Sequence, residues 1–337
     1  MTEGIRSFRV AQLGLESTKG TAVAATVLWR GLGTFQDGTV RNYPEESLGY
    51  FVKVDRHYEA MTVARMTMES TPFTFEQAPY LFASCIKNVV AGAADGAGSG
   101  KIYTYPFSTT TLNTVKTYTL EAGDNIQGWE AAYGFCRSFE ISGSGGQDSD
   151  AVMISAEWIA REWAKTTLSS PSLVAVEEAS FLKSKLYIDA VGGTMGSTQK
   201  TAMFVGFTFR ADPGIREMFT GDGNLYFTDA LLRKQPEITC DIEMLYTTDA
   251  IAQIDNWLAG TPVLIEIALE GTALTGAGTT YTYKTLRLQM PGSWKEFSGL
   301  EDVEEGDKIT GTFIPAYDTT AGIGPSIVVV NEVTTLP

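Results

Sequence analysis

The sequence predicts a mainly β chain of the α+β class, arranged as two successive β-rich units that each carry one short helix. Three observations lead there. Of 337 residues, 44% are hydrophobic and only 19% charged, with Gly (34), Phe (17) and Tyr (14) plentiful, a mixture that favours pleated, half-buried segments. Many short segments alternate apolar and polar residues with period two. The order strand, helix, strand occurs twice, in "MTVARMTMESTPFTFEQAPYLFASCIKN" (61–88) and in "PEITCDIEMLYTTDAIAQIDNWLAGTPVLIEIALEG" (236–271). At roughly 100–200 residues per domain, the length also fits two units.

In the first half, "VLWRGLG" (27–33), "FVKVDRHY" (51–58) and "VARMTME" read as strands. A helix follows over 79–88, with Leu81, Phe82, Cys85 and Ile86 as its apolar stripe. Pro79 suits a first turn and not an interior, which sets the start. "VAGAADGAGSGK" (90–101) is Gly-rich and reads as a mobile loop, and "YTYPFSTTTLNTVKTYTLEAG" (103–123) returns to strand. "FCRSFEI" sets Phe135, Arg137, Phe139 and Ile141 against Cys136, Ser138 and Glu140. "EISGSGGQDSD" (140–150) reads as a second loop, and "VMISAEWIA" then aligns Ile154, Ala156 and Trp158.

The Ser, Thr and Pro of "KTTLSSPSLVAVEEA" mark a boundary near 165–180, giving units 1–170 and 171–337. In the second, "KLYIDAVGG" (185–193) and "MFVGFTFRAD" read as strands. "EITCDIEMLY" puts Ile238, Cys240, Ile242, Met244 and Tyr246 on one face and Thr239, Asp241 and Glu243 on the other. The next helix has Ile251, Ile254, Trp257 and Leu258 at helical spacing. Thr248 can cap it, and Gly260 followed by Pro262 can stop it. "VLIEIALEG" sets Val263, Ile265, Ile267 and Leu269 against Glu266 and Glu270, and "YTYKTLRLQM" and "KITGTFIPAY" complete the strands. Matched in order, 27–33 corresponds to 185–193, 51–58 to 207–214, 103–123 to 274–292, and the segments of 135–160 to 294–317. The reading is internal duplication; the alternative is two unrelated β-rich domains of common architecture.

The net charge is −15. Residues 1–170 carry 14 Lys/Arg against 18 Asp/Glu, and residues 171–337 carry 11 against 22. So acidic a chain is poorly suited to gripping phosphate backbones. Cys85, Cys136 and Cys240 have no CxxC spacing and read as buried free thiols. No secretory leader and no membrane-spanning run is expected.

The search for chemistry yields no catalytic, metal or cofactor site. His57 stands alone in a charged segment, which leaves no multi-His centre, and no nucleophile elbow occurs. "GAGSGKI" fails as a phosphate loop, because Asp95 replaces the first glycine and Ile102 the Ser/Thr. "TGDGNLYFTD" (Asp222, Asn224, Asp229) and "LEDVEEGD" (Glu301, Asp302, Glu304, Glu305, Asp307) lack EF-hand spacing and read as solvated acidic loops. Trp29, Trp129, Trp158 and Trp294 read as core or subunit contacts.

The opening "FRVAQLGLESTKGTAVAATVLWRGLG" resembles that of tail tube proteins of long-tailed bacteriophages, through Leu13, Gly14, Glu16, Thr18, Gly20, Thr21, Ala22 and Val23. The helix segment resembles the family's through Pro79, Tyr80 and Leu81, and "FTFRADPGIREMFTGDG" and "PEITCDIEMLYT" are similar to its strand pairs. The resemblance implies two tandem β-sandwich or barrel tail-tube domains, each flanked by a short helix. It implies trimers with pseudo-sixfold symmetry that stack into a tube within the virion tail, assembled in the host cytoplasm. Partners would be further copies of itself, other tail proteins, and the tape-measure protein and DNA in the lumen, with no membrane and no cofactor. An acidic wall would repel DNA phosphates. Candidate lumen residues are Asp241 and Glu243, or Glu266 and Glu270; alternation alone leaves the pair open. The N-terminal arm (1–25) and the 41–58 loop are expected between rings, with Leu13, Leu15, Val23, Tyr43, Tyr50 and Phe51 as candidates. Two alternatives stay open: another virion role, such as tail terminator or head decoration, and a two-domain module for carbohydrate or Ca²⁺.

Overall fold

A computed structural model describes residues 3–51, 55–145, 151–303 and 306–336. The first half comprises β1 (Val10–Leu15), β2 (Val27–Trp29), β3 (Gly33–Asp37), β4 (Val40–Asn42), β5 (Tyr58–Met61), β6 (Ala64–Pro72), α1 (Ala78–Cys85), β7 (Ala93–Ala94), β8 (Lys101–Pro106), β9 (Tyr118–Gly123), β10 (Gly128–Ser144), β11 (Met153–Ala160) and β12 (Trp163–Thr166). The second comprises β13 (Ser184–Ala190), β14 (Gln199–Lys200), β15 (Phe204–Asp212), β16 (Ile215–Met218), β17 (Asp229–Leu232), β18 (Glu237–Leu245), α2 (Thr248–Ala259), β19 (Val263–Ala273), β20 (Tyr283–Phe297), β21 (Glu301–Val303), β22 (Gly306–Pro315) and β23 (Ser326–Asn331). The chain is mainly β, as its composition requires.

All strand pairs between these elements are antiparallel. One run of eight has the order β3-β6-β11-β10-β15-β18-β22-β20. β10 and β20 are long enough to serve two sheets. Their N-terminal parts leave this run and join a second layer, β2-β1-β9-β10-β12 in the first half and β14-β13-β19-β20-β23-β8-β7 in the second. A bulge at Cys136/Ser138 bends β10, and one at Trp294/Glu296 bends β20. The apolar faces of both layers, with α1, share one core containing Leu13, Trp158, Phe209, Ile242, Leu288 and Phe313.

The pairing order of residues 10–166 recurs in 184–331. β1, β2, β3, β6, β9, β10, β11 and β12 make the same neighbours as β13, β14, β15, β18, β19, β20, β22 and β23. Gly33 pairs with Met68 as Phe207 pairs with Ile242, and Cys136 with Trp158 as Trp294 with Phe313. Gly134 and Gly292 each pair with the first residue of the preceding strand, Tyr118 and Val263. Each half inserts a hairpin at the same point, β4–β5 and β16–β17.

These registers revise the correspondences read from sequence. β13 takes the place of β1 and not of 27–33, and β15 that of β3 and not of 51–58. β19 matches β9, while β7–β8 is an extra hairpin with no counterpart. Strand type is local information, but the identity of a strand's neighbours is not. The supposed loop 140–150 is strand up to Ser144, and 146–150 lie outside the described residues. The supposed mobile loop 90–101 is pinned: buried Asp95 accepts N–H bonds from Thr280 (2.9 Å) and Tyr281 (2.7 Å). Those bonds cross between the halves, a partner no local composition announces.

α1 is buried along its whole length. α2 departs from its expected face. Its buried residues are Ala250 and Gln253; of the expected stripe Ile254 packs half-buried against the core, whereas Ile251, Trp257 and Leu258 are exposed. Gln253 accepts from the indole of Trp294 (3.3 Å), which turns the polar side inward. Its N-cap is Thr247, whose hydroxyl accepts from Ala250 N–H, one residue before the expected cap. Gly260 closes it in the left-handed region, φ 64°.

Candidate functional site

The outward face of the eight-strand run is mostly polar, with exposed Leu245 and Ile314 interrupting it at the strand ends. Period two puts Arg65, Thr67 and Glu69 outward on β6, and Ser155 and Glu157 on β11. Ser138, Glu140 and Ser142 follow on β10, Thr208 and Arg210 on β15, Thr239, Asp241 and Glu243 on β18, and Lys308, Thr310 and Thr312 on β22. Hydroxyls and carboxylates dominate. A concave groove of about 460 Å³ runs over this face, with Ser138, Glu140, Glu157, Arg210, Asp212 and Thr239 in its wall.

Two of the three cations named on this face, Arg210 and Lys308, are held by acids. Arg210 bridges Glu140 (2.8 Å) and Asp241 (2.6 Å), and its hydrogen bond to Asp241 raises its pKa further. Thr312 donates to the second Asp241 oxygen at 2.7 Å. Lys308 lies 3.1 Å from Glu243 and 3.4 Å from Glu301, and the Glu243 bond raises its pKa. Exposed pairs of this kind contribute little stability, about 0–1 kcal/mol each. Their effect here is to leave the face without a free cluster of positive charge among the described residues.

Asp241 and Glu243 therefore sit on the open face, and Glu266 does not. Glu266 is wholly buried. Its Oε1 lies 3.1 Å from Arg287 Nε, and its Oε2 accepts from Gln289 at 2.9 Å. A side chain on Gly196 would collide with it at 2.7 Å. Glu266 cannot line a water-filled channel. β19 is central in its sheet and covered on both faces, and Leu264 and Ala268, which alternate with Glu266, carried that signal. Glu270 lies in the same second layer, half-buried and bound to Lys185 at 2.7 Å.

The N-terminal candidates divide likewise. Leu13 is a core residue, 1% exposed, because β1 runs between β2 and β9. It cannot form a contact between rings. Leu15 is half-buried against the same core. Val23 is half-buried, and its N–H is held by Thr119 Oγ1 at 2.9 Å. The expected free arm is thus no arm from residue 10 onward. Buried Glu16 ties it down, accepting from Gly20 N–H (2.8 Å), Thr117 (2.7 Å), Thr119 (3.2 Å) and Tyr133 N–H (2.8 Å). Tyr43, Tyr50 and Phe51 are exposed.

The acidic loop of Asp222 and Asp229 serves the fold. Asp222 accepts from Thr220 and Thr228, and Asp229 binds the Tyr133 hydroxyl and Lys19. Glu304 and Glu305 lie outside the described residues. His57 is exposed, its ring 5.7 Å from that of Tyr43. The three cysteines are free and buried, and burial pushes the Cys85 and Cys240 thiols up.

The run has two open ends. Among the described residues, β3 pairs on one side only, with β6. Among the described residues, the C-terminal part of β20 likewise pairs on one side only, with β22. Sequence reasoning missed both edges, since an edge is defined by what a strand lacks. No family model matches the chain, and no curated protein matches it.

Proposed function

We propose that this chain is a tail tube subunit: a duplicated β unit whose copies close side by side into rings, with the polar face lining a DNA conduit. One observation carries the reading. Within the chain, β10 of the first unit pairs with β15 of the second, Phe139 opposite Ala211. The registers make β20 the counterpart of β10 and β3 the counterpart of β15. The two open edges are therefore the two halves of a junction the chain already makes once. Copying that junction sets Phe297 opposite Asp37 of the next copy, in a heterologous contact that closes into a ring. Closure also removes edges that would otherwise invite aggregation.

Strand spacing supports three copies. At about 4.8 Å per strand, three eight-strand runs give a wall roughly 37 Å across between backbones, and two give only about 24 Å. The smaller ring would keep a water-filled channel, but side chains reaching in from its wall would leave that channel narrower than a DNA duplex. The acid-rich inner face would keep phosphates and their counterions off the wall. The chain then acts by shape and charge, without catalysis.

Electron microscopy of the purified chain at raised concentration tests this. Threefold rings or hollow tubes are expected. Particles that stay monomeric at every concentration, with crowding agents present, would refute it.

A further inference from the structure

The two inserted hairpins have the same place and length but different surroundings. Asp37 pairs with Ala64 as Ala211 pairs with Ile238, so equal stretches of chain separate the paired ends. The hairpin of 213–236 lies on the first unit. Its Ile215, Phe227 and Ala230 share a closed cluster with Val63, Tyr133, Phe135 and Ile159. Phe227 meets the Tyr133 and Phe135 rings edge-on, at 5.1 and 5.9 Å. Arg161 donates to the carbonyls of Phe227 (3.0 Å) and Thr228 (2.8 Å). Of the described apolar residues of the β4–β5 hairpin, Met61 at its base packs against that cluster, and the others named next stand exposed. Val40 is 41% exposed, Tyr43 57%, Tyr50 73% and Tyr58 51%.

We infer that the β4–β5 hairpin docks on a second copy of this chain, over the sheet end at Ser293 and Ile314. Register identifies the seat. Phe135 and Ile159 flank the Cys136–Trp158 pair, and Ser293 and Ile314 flank the Trp294–Phe313 pair in the same way. Ile314 stands 39% exposed and Tyr317 41% exposed, beside a cleft of about 510 Å³ walled in part by Pro315, Ala316 and Tyr317. The direction agrees. β16–β17 leaves β15 and β18 and covers the strands next to β15. The same course from β3 and β6 reaches whatever chain pairs with β3. The contact lies within a ring and not between rings, and it rests on the edge-to-edge ring proposed above.

Disulfide trapping in trans tests it. Two variants, Val40→Cys and Ile314→Cys, are mixed under assembly conditions and treated with a mild oxidant; the native thiols are buried. A covalent dimer is expected from the mixture and from neither variant alone. A second pair, Asp37→Cys with Phe297→Cys, reports the edge junction. Edge product without hairpin product would overturn the docking and leave the ring standing. Absence of both products in chains that do not assemble would overturn both. Tyr43→Asp combined with Tyr50→Asp is expected to keep the unfolding midpoint and weaken self-association at least tenfold; unchanged association would also overturn the docking.

Discussion

At the residue scale, buried carboxylates hold segments that strand pairing leaves loose. Glu16 has four donors and no cation among its hydrogen-bond partners. Glu121 accepts from Ala25 N–H (3.1 Å) and Ser169 N–H (2.8 Å). It stands three residues after Tyr118, as Glu266 stands three after Val263, so the units bury a glutamate at one position. An unpaired buried donor costs about 1–3 kcal/mol. Glu16→Ala is expected to lose roughly 3 kcal/mol in urea unfolding. Glu266→Ala is expected to lose about 1–3 kcal/mol, because it strands the Gln289 donor and leaves the half-buried Arg287 without its acid. Glu266→Leu with Arg287→Met should come within about 1 kcal/mol of the native chain, since removing both charges leaves no cation without its acid.

At the element scale, the bends of β10 and β20 require glycine where the strand passes from one layer to the other. A side chain on Gly134 would meet the Tyr118 carbonyl at 2.7 Å, and one on Gly292 would land on the Ile314 carbonyl. Gly134→Ala and Gly292→Ala should each lower stability by about 1–3 kcal/mol in thermal unfolding, as overpacking does. The β16–β17 hairpin should be acid-labile. Burial would raise the Asp229 carboxyl, but bonds from Tyr133 and the Ala230 N–H hold it below its ordinary 3.8. Burial acts likewise on Asp212, and Arg216 and the Gly214 N–H overcome it. Both groups bind protons more weakly folded than unfolded. Their contribution is present above pH 3.8 and fades as pH falls through the lower folded values. Amide protection over 215–232 should drop below pH 3.8 before that of β18 and β22. Equal loss across all three would contradict it.

Much of the element scale was legible. Alternation in "EITCDIEMLY" placed Asp241 and Glu243 outward, and Gly260 ended its helix where expected. The failures share a cause. The α2 stripe misled because Gln253 has a distant partner in Trp294, and Glu266 misled because the loop over it comes from another strand pair. A period identifies two faces and does not say what covers either.

At the scale of the whole molecule, charge and closure belong together. If the polar face lines a channel, adding cations there should make the wall hold DNA. Glu69→Lys with Glu157→Lys, both exposed positions on that face, should leave assembly intact. The resulting tubes should bind duplex DNA with an affinity that falls steeply with salt, while native tubes do not. Equal DNA binding by both would remove the face from the conduit.

By itself the sequence determined the strand and helix content, the twice-used strand–helix–strand order, the buried thiols and the acidic balance. Each is written in residues close along the chain. Tertiary structure alone decided which strands are neighbours, which glutamates meet water, and where the sheet stops. Those depend on contacts between residues a hundred or more positions apart, such as Glu16 with Tyr133 and Asp95 with Tyr281. No local period encodes such contacts, because each is selected by the packing of the whole chain.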